Sequence, residues 1–430
     1  MQWKSLVAAV LIAPFANALI RFPCSQLVTE RSDPLVTPGE VAPHLHQIVG
    51  GNAFNFTMDP NFLDPAKAST CTTCRFAEDK SNYWTAVLYF KHPNGSYIRV
   101  PQMANHNTGP GIQAGGMTIY YFQPTPPTKN LDVTAFAPGF RMIVGHPMRR
   151  ADDIPTASPE YRSTSYRCFD TNDPGNSGVP GFPGDSFHLP NKPCAEGIRS
   201  NIYFPQCWDG VNLDSPDHSS HVAFPEGPAS AGLQIFGTDC PASHPVRLPL
   251  LFIEINWDTR PFNDVSLWPK DGTQPFVFSM GDPTGFGQHA DYLFGWEGDS
   301  LQRAMEVCTG GDGIPWNCPV LTTQDMETMN NCRQPNKVAE VVEDEYIQRL
   351  PGCNPLQEGP VSATLHPNDC GAQTTWLAAP TPVTAPPAVV TPPWPVCYDG
   401  PNPASNPLAP LCDSKPTKAN SAPVVTPAPL

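Results

Sequence analysis

The sequence is short of charge, and shortest of positive charge: 25 Lys and Arg stand against 40 Asp and Glu, a formal net of −15 at pH 7. Phosphate polymers and anionic membranes are bound by basic faces, so no nucleic-acid partner is expected. Neutral polymers, cations and proteins remain. Beyond the N-terminus there is no apolar run near the roughly 20 residues that a membrane span needs, so no membrane anchor is expected. Also absent are a GxSxG elbow, an HExxH pair and a Gly-rich run ending in Gly-Lys-Ser/Thr. Serine-hydrolase chemistry of the α/β type, zinc-peptidase chemistry and phosphate-loop binding are thereby left without support. Long helices should be scarce too, because 55 prolines and 32 glycines interrupt a chain of 430 residues and favour short strands and turns.

The first residues run from Met1-Gln-Trp-Lys4 through an apolar stretch, Leu6 to Phe15, to Ala16-Asn-Ala18. That order of charged, greasy and small residues predicts a signal peptide over 1–18, a mature N-terminus at Leu19 and an extracellular location. All 14 cysteines lie beyond it, an even number that allows up to seven disulfides in an oxidising compartment. Cys71-Thr-Thr-Cys74 has no second CxxC and is read as a structural disulfide or two half-cystines, not as a redox or zinc motif. Asn55-Phe-Thr57 and Asn94-Gly-Ser96 fit the glycosylation sequon.

Asn94-Gly95 is also a hairpin signal between two aromatic and β-branched runs, Trp84 to Phe90 and Tyr97 to Val100. Further strands are expected at Met117 to Phe122, Phe140 to Val144, Ser200 to Phe204, Val246 to Trp257 and Phe276 to Ser279, with a long loop over 170–193. Helical spacing is confined to Asp299 to Cys308 and Val338 to Leu350. The fold class expected is mainly β: a β-sandwich or jelly-roll-like body over 19–310 with long disulfide-pinned loops and short C-terminal helices. A helical, cysteine-bearing extension (311–372) and a Pro-rich tail (373–430) follow.

Four stretches carry residues suited to chemistry. In His44-Leu-His46, a strand would point both imidazoles to one face, giving a metal or substrate pair, or two structurally hydrogen-bonded rings. In Cys207-Trp208-Asp209-Gly210 and Asp214 to His221, turn residues surround acids and histidines; Trp208, Asp209, His218 and His221 are candidates for substrate binding, with core packing the competing role for Trp208. On Leu250 to Asp258, strand alternation sets Glu254, Asn256 and Asp258 on one face and Ile253, Ile255 and Trp257 on the other. Glu254 is the candidate acid or base, although glycoside cleavage also needs a second carboxylate from elsewhere. Last, His289 and Asp291 share an alternating phase, as a base and its orienting carboxylate would.

Several of these motifs, in order, resemble a large secreted fungal family known as a domain of unknown function: His44 to Phe54, Cys207 to Gly210, Ser215 to Val222, His244 to Val246, Phe278 to Asp282 and Gln288 to Tyr292. The resemblance runs from about Pro43 to Cys308. Members of that family sometimes carry WSC-type or other carbohydrate-binding modules, which implies an extracellular setting and a glycan partner, but no reaction.

The function expected is therefore a polysaccharide-active protein, hydrolase or lyase, acting on cell-wall or biomass glycan. The alternative is a noncatalytic cell-wall or divalent-metal-binding protein. A divalent metal is the cofactor considered, and the four His-bearing stretches are expected to meet in one cleft with Glu254 near its floor.

Overall fold

Strands form where aromatic and β-branched residues alternate with polar ones. In chain order they are β1 Leu19–Cys24, β2 Gln26–Ser32, β3 Val41–Gly50, β4 Asn82–Ala86, β5 Leu88–Lys91, β6 Tyr97–Arg99, β7 Gln102–Met103, β8 Met117–Phe122 and β9 Arg141–Gly145. After them come β10 Thr164–Cys168, β11 Ile198–Tyr203, β12 Cys207–Trp208, β13 Val222–Ala223, β14 Val246–Arg247, β15 Leu250–Trp257, β16 Phe276–Phe278 and β17 His289–Leu293. The computed structural model describes residues 19–103, 115–123, 133–170, 184–227, 238–308 and 313–365. The expected signal peptide, the Pro-rich tail and much of the 170–193 loop lie outside the described residues.

Two antiparallel sheets make the sandwich. One has the order β1-β8-β15-β11-β10, with β7 also pairing β15; the other has the order β2-β3-β4-β17-β9. Two three-stranded sheets, β16-β5-β6 and β13-β12-β14, flank them. Between the main sheets, Ile119, Ile253, Ile255 and Tyr121 from the first meet Val49, Tyr83, Met142 and Tyr292 from the second. Truncating one of these, such as Ile253→Ala, should cost about 2–5 kcal/mol through lost burial and the cavity left behind. The buried tyrosines satisfy one another across the gap: the Tyr83 and Tyr121 hydroxyls are 2.7 Å apart and Tyr121 reaches Tyr292 at 3.1 Å.

The hairpin forms as expected. Gly95 at φ +90° lets the chain turn between β5 and β6, and Asn94 Oδ1 accepts from the Ser96 N–H at 2.9 Å. Among the described residues five disulfides close, Cys24–Cys74, Cys71–Cys332, Cys168–Cys194, Cys207–Cys240 and Cys308–Cys318. The Cys71-Thr-Thr-Cys74 pair is thus two half-cystines. No helix among the described residues is long and apolar enough to cross a membrane.

Helices are short: α1 Pro65–Ala68, α2 Ser300–Val307 and α3 Met326–Asn331. The helix expected over Val338 to Leu350 does not form. Its periodic apolar residues, Val342 and Leu350, pack with Leu45, Val87 and Tyr89 of the body. Its backbone groups are taken by distant partners: Tyr89 Oη donates to the Val342 carbonyl, and Ile347 and Tyr97 exchange N–H···O bonds of 2.8 Å. Tertiary bonding has displaced the local i→i+4 pattern. The chain on either side of this segment is tied to the body, by the Cys71–Cys332 bridge before it and by Asn354 Nδ2 donating to the Pro43 carbonyl at 2.9 Å after it.

Candidate metal centre

On β3, His44 and His46 alternate with Leu45 and so share a face. Ile48, Trp84 and Leu293 occupy the same side of the sheet and pack in a satellite cluster with Leu35, Phe54 and Met58, on the face turned away from the sandwich core. The registers Gln47↔Thr85 and Ala290↔Thr85 align β3, β4 and β17, so that His289 comes level with His46. Between them on β4 stands Ala86, directly opposite His46, with only a methyl group to occupy the space. At about 4.8 Å per strand, two imidazoles two strands apart can reach each other over such a residue.

They do. The ligand nitrogens of His44, His46 and His289 all lie within 4.8 Å of one another, and His44 Nε2 is 3.0 Å from His289 Nε2. Two backbone carbonyls set the tautomers. His46 Nδ1 donates to Ser32 O at 3.2 Å and His289 Nδ1 donates to Gly287 O at 2.9 Å, which leaves a lone pair on Nε2 of each ring. His46 Nε2 is fully buried and accepts no hydrogen bond. Burial pushes the His46 and His289 imidazoles down to about 4 and moves His44 well below its ordinary value, so all three are neutral at pH 7.

In His46 and His289 the far nitrogen is held by a carbonyl while the near nitrogen converges with that of His44, and this matches the ligand arrangement of metal-bound histidine. With metal–nitrogen bonds of about 2.1 Å, nitrogens about 3.0 Å apart subtend roughly 90°, and trans nitrogens lie about 4.2 Å apart. The His44–His289 spacing fits directly, and the His46 nitrogen lies within 4.8 Å of both. Imidazole donors suit Zn, Cu, Fe or Ni rather than Ca or Mg. All three residues are buried, His44 and His289 at 8% and 6% exposure and His46 at 0%.

Ser32 Oγ, Asp291 Oδ2 and Trp84 Nε1 are buried without hydrogen-bond partners, against the usual rule that such groups are paired. Gly145 ends β9 at φ +81°, where a Cβ would lie 2.2 Å from the Gln288 carbonyl; the missing side chain is what lets β9 close on the start of β17.

A family model described as Domain of unknown function (DUF1996) matches residues 33–296. The chain belongs to this family. The DUF1996 span includes every candidate site residue, from His44 to Asp291. No curated protein and no solved structure matches the chain.

Within the DUF1996 domain the other candidates are placed apart from the triad. Asp291 lies on the triad's face, but His289 Nδ1 is bonded to Gly287 O and not to its carboxylate, so the two do not form the expected dyad. Burial raises the Asp291 carboxyl well above its usual range. His221 bonds Ser215 Oγ and the Arg141 carbonyl. Asp209 accepts the Val211 and Asn212 N–H groups in a tight turn. Trp208 is half-buried against the core, its Nε1 donating to Asn212 O at 2.6 Å.

Glu254 is the largest departure from expectation. Ile253, Ile255 and Trp257 do face the core, which turns Glu254 to the outer face of the opposite sheet, beside Phe252, Tyr120 and Tyr203. Its carboxylate accepts from Tyr120 Oη at 2.7 Å and Asn256 Nδ2 at 3.0 Å. Both sheets, whose planes stand about 10 Å apart, separate it from the histidines. The strand pattern gave its face correctly and could not say which side of the sandwich the histidines would take.

Two residues near the triad carry no sequence signal of their own. His146 follows Gly145 at the end of β9 and is exposed, within electrostatic reach of His289. Asp33 follows β2 and is buried within reach of the same ring.

Proposed function

We propose that this protein is an extracellular metal-binding protein that holds one divalent transition-metal ion on His44, His46 and His289. The observation that carries the proposal is the convergence of three neutral imidazole nitrogens, one of them buried and unpartnered. The five disulfides support an extracellular setting, because such bonds persist in oxidising compartments. Cell-wall or biomass glycan is the partner class we carry forward, since a net charge of −15 favours neutral polymers over anionic ones.

Isothermal titration of chelator-treated protein with Zn²⁺, Cu²⁺, Ca²⁺ and Mg²⁺ tests the ion. One equivalent of a transition metal should bind, with His46→Asn removing the site and neither Ca²⁺ nor Mg²⁺ competing. Product analysis on a panel of neutral glycans, with metal-loaded protein and the same variant, tests the substrate class. Products formed equally by both proteins would separate any glycan activity from the ion.

A further inference from the structure

The outer face of the first sheet carries a second polar group, and strand register sets it out. Glu254 on β15 is opposite Asn201 on β11, which is opposite Ser165 on β10. In the row on one side, Phe252 is opposite both Tyr203 and Tyr120; in the row on the other, Asn256 is opposite Arg199. The Phe252 ring stacks on Tyr203 at 4.4 Å and stands 4.8 Å from Tyr120. Glu254 therefore has aromatic rings along one side and amide and guanidinium groups along the other.

Two carboxylates fix the amides. Asn256 Nδ2 donates to Glu254 Oε1 at 3.0 Å, and Asn201 Nδ2 donates to Asp185 Oδ2 at 3.3 Å and to Ser165 Oγ at 3.0 Å. A carboxylate only accepts, so in each amide the nitrogen is the atom turned toward it and the oxygen is the atom left over. Asn201 Oδ1, Asn256 Oδ1 and Tyr203 Oη are all buried with no hydrogen-bond partner among the described residues. Asn201 and Tyr203 are 0% and 1% exposed, where an unanswered polar atom is costly. Tyr120 and Asn256, which hold the two oxygens of Glu254, are half-buried, and through them the group meets solvent.

We propose that this face is a glycan-binding site, in which sugar hydroxyls donate to Asn201 Oδ1 and Asn256 Oδ1 and share a hydrogen bond with Tyr203 Oη. Two amide oxygens require donors and a phenol takes either role; neighbouring hydroxyls of a neutral sugar meet both needs, whereas a carboxylate or sulfate offers acceptors alone. The glycan class carried forward above thereby has a place of its own, on the outer face opposite the histidines, and its binding there does not depend on the ion.

Isothermal titration of the full-length chain with laminarihexaose, cellohexaose, chitohexaose and mannohexaose, and with hexagalacturonate as the acidic contrast, tests it. At least one neutral sugar should bind, and hexagalacturonate should not compete. Tyr203→Phe removes only the unpartnered hydroxyl. It should weaken that binding by about 3- to 10-fold, the worth of one hydrogen bond, and leave the melting temperature unchanged or raised, because a buried hydroxyl without a partner costs stability. His46→Asn should bind the sugar as the wild type does. Wild-type affinity in Tyr203→Phe, or a lowered melting temperature showing that its hydroxyl already has a partner within the protein, would overturn the proposal. Loss of sugar binding in His46→Asn would move the glycan to the metal face and overturn it as well. No binding of any neutral sugar, or tighter binding of hexagalacturonate, would do the same.

Discussion

Acid should destabilise the metal-free protein through the triad, and His46→Asn should make that visible. His46 is fully buried, and burial lowers its imidazole from 6.5 to about 4. A group with a lowered folded-state value resists protonation when folded but not when unfolded, so the stability it permits is present above 6.5 and lost as pH falls toward 4. Between about pH 7.5 and about pH 4.5 the unfolded ring gains its proton almost completely and the folded ring only partly. That difference is worth about 2.5 kcal/mol for His46. Asparagine retains a side-chain N–H for the Ser32 carbonyl and has no imidazole to titrate. It also relieves His44 and His289 of a neighbouring charge, which acts in the same direction. Urea unfolding of both proteins in chelator across this range should show the wild type losing about 2.5 kcal/mol more than the variant. Parallel curves would refute the claim that His46 is buried neutral in the native state.

Three other outcomes are expected. Burial raises the Asp79 carboxyl from 3.8 to about 7, so its contribution is complete below 3.8 and lost as pH rises to about 7; urea unfolding should show Asp79→Asn gaining about 4 kcal/mol on the wild type over that interval. Replacing Cys71 and Cys332 by Ser opens a bridge with a sequence separation of 261, and chain-entropy reasoning puts the loss near 5 kcal/mol, readable as a fall in melting temperature. Glu254→Gln should leave metal affinity unchanged in calorimetry, because its carboxylate lies on the other outer face, bonded to Tyr120 and Asn256.

Much of the sandwich was legible in the sequence because strand alternation is a local signal. The Asn94-Gly95 hairpin, the two faces of β15 and the shared face of His44 and His46 all follow from a period of two. What pattern cannot give is which strands become neighbours. His289 reaches His44 across a sequence separation of 245 because β17 pairs with β4, whereas Glu254 belongs to a sheet on the other side of the core. The segment from Val338 to Leu350 shows the converse failure, since its helical spacing was real but its carbonyls and apolar side chains found partners in the body.

The proposed metal site joins three histidines from two distant strands. Anomalous diffraction from a crystal of the metal-loaded protein, collected on either side of the metal absorption edge, tests it most directly. A single strong anomalous peak is expected about 2.1 Å from a nitrogen of each of His44, His46 and His289. No peak among these rings in fully loaded protein, or a peak at other residues that survives His46→Asn, would contradict the account.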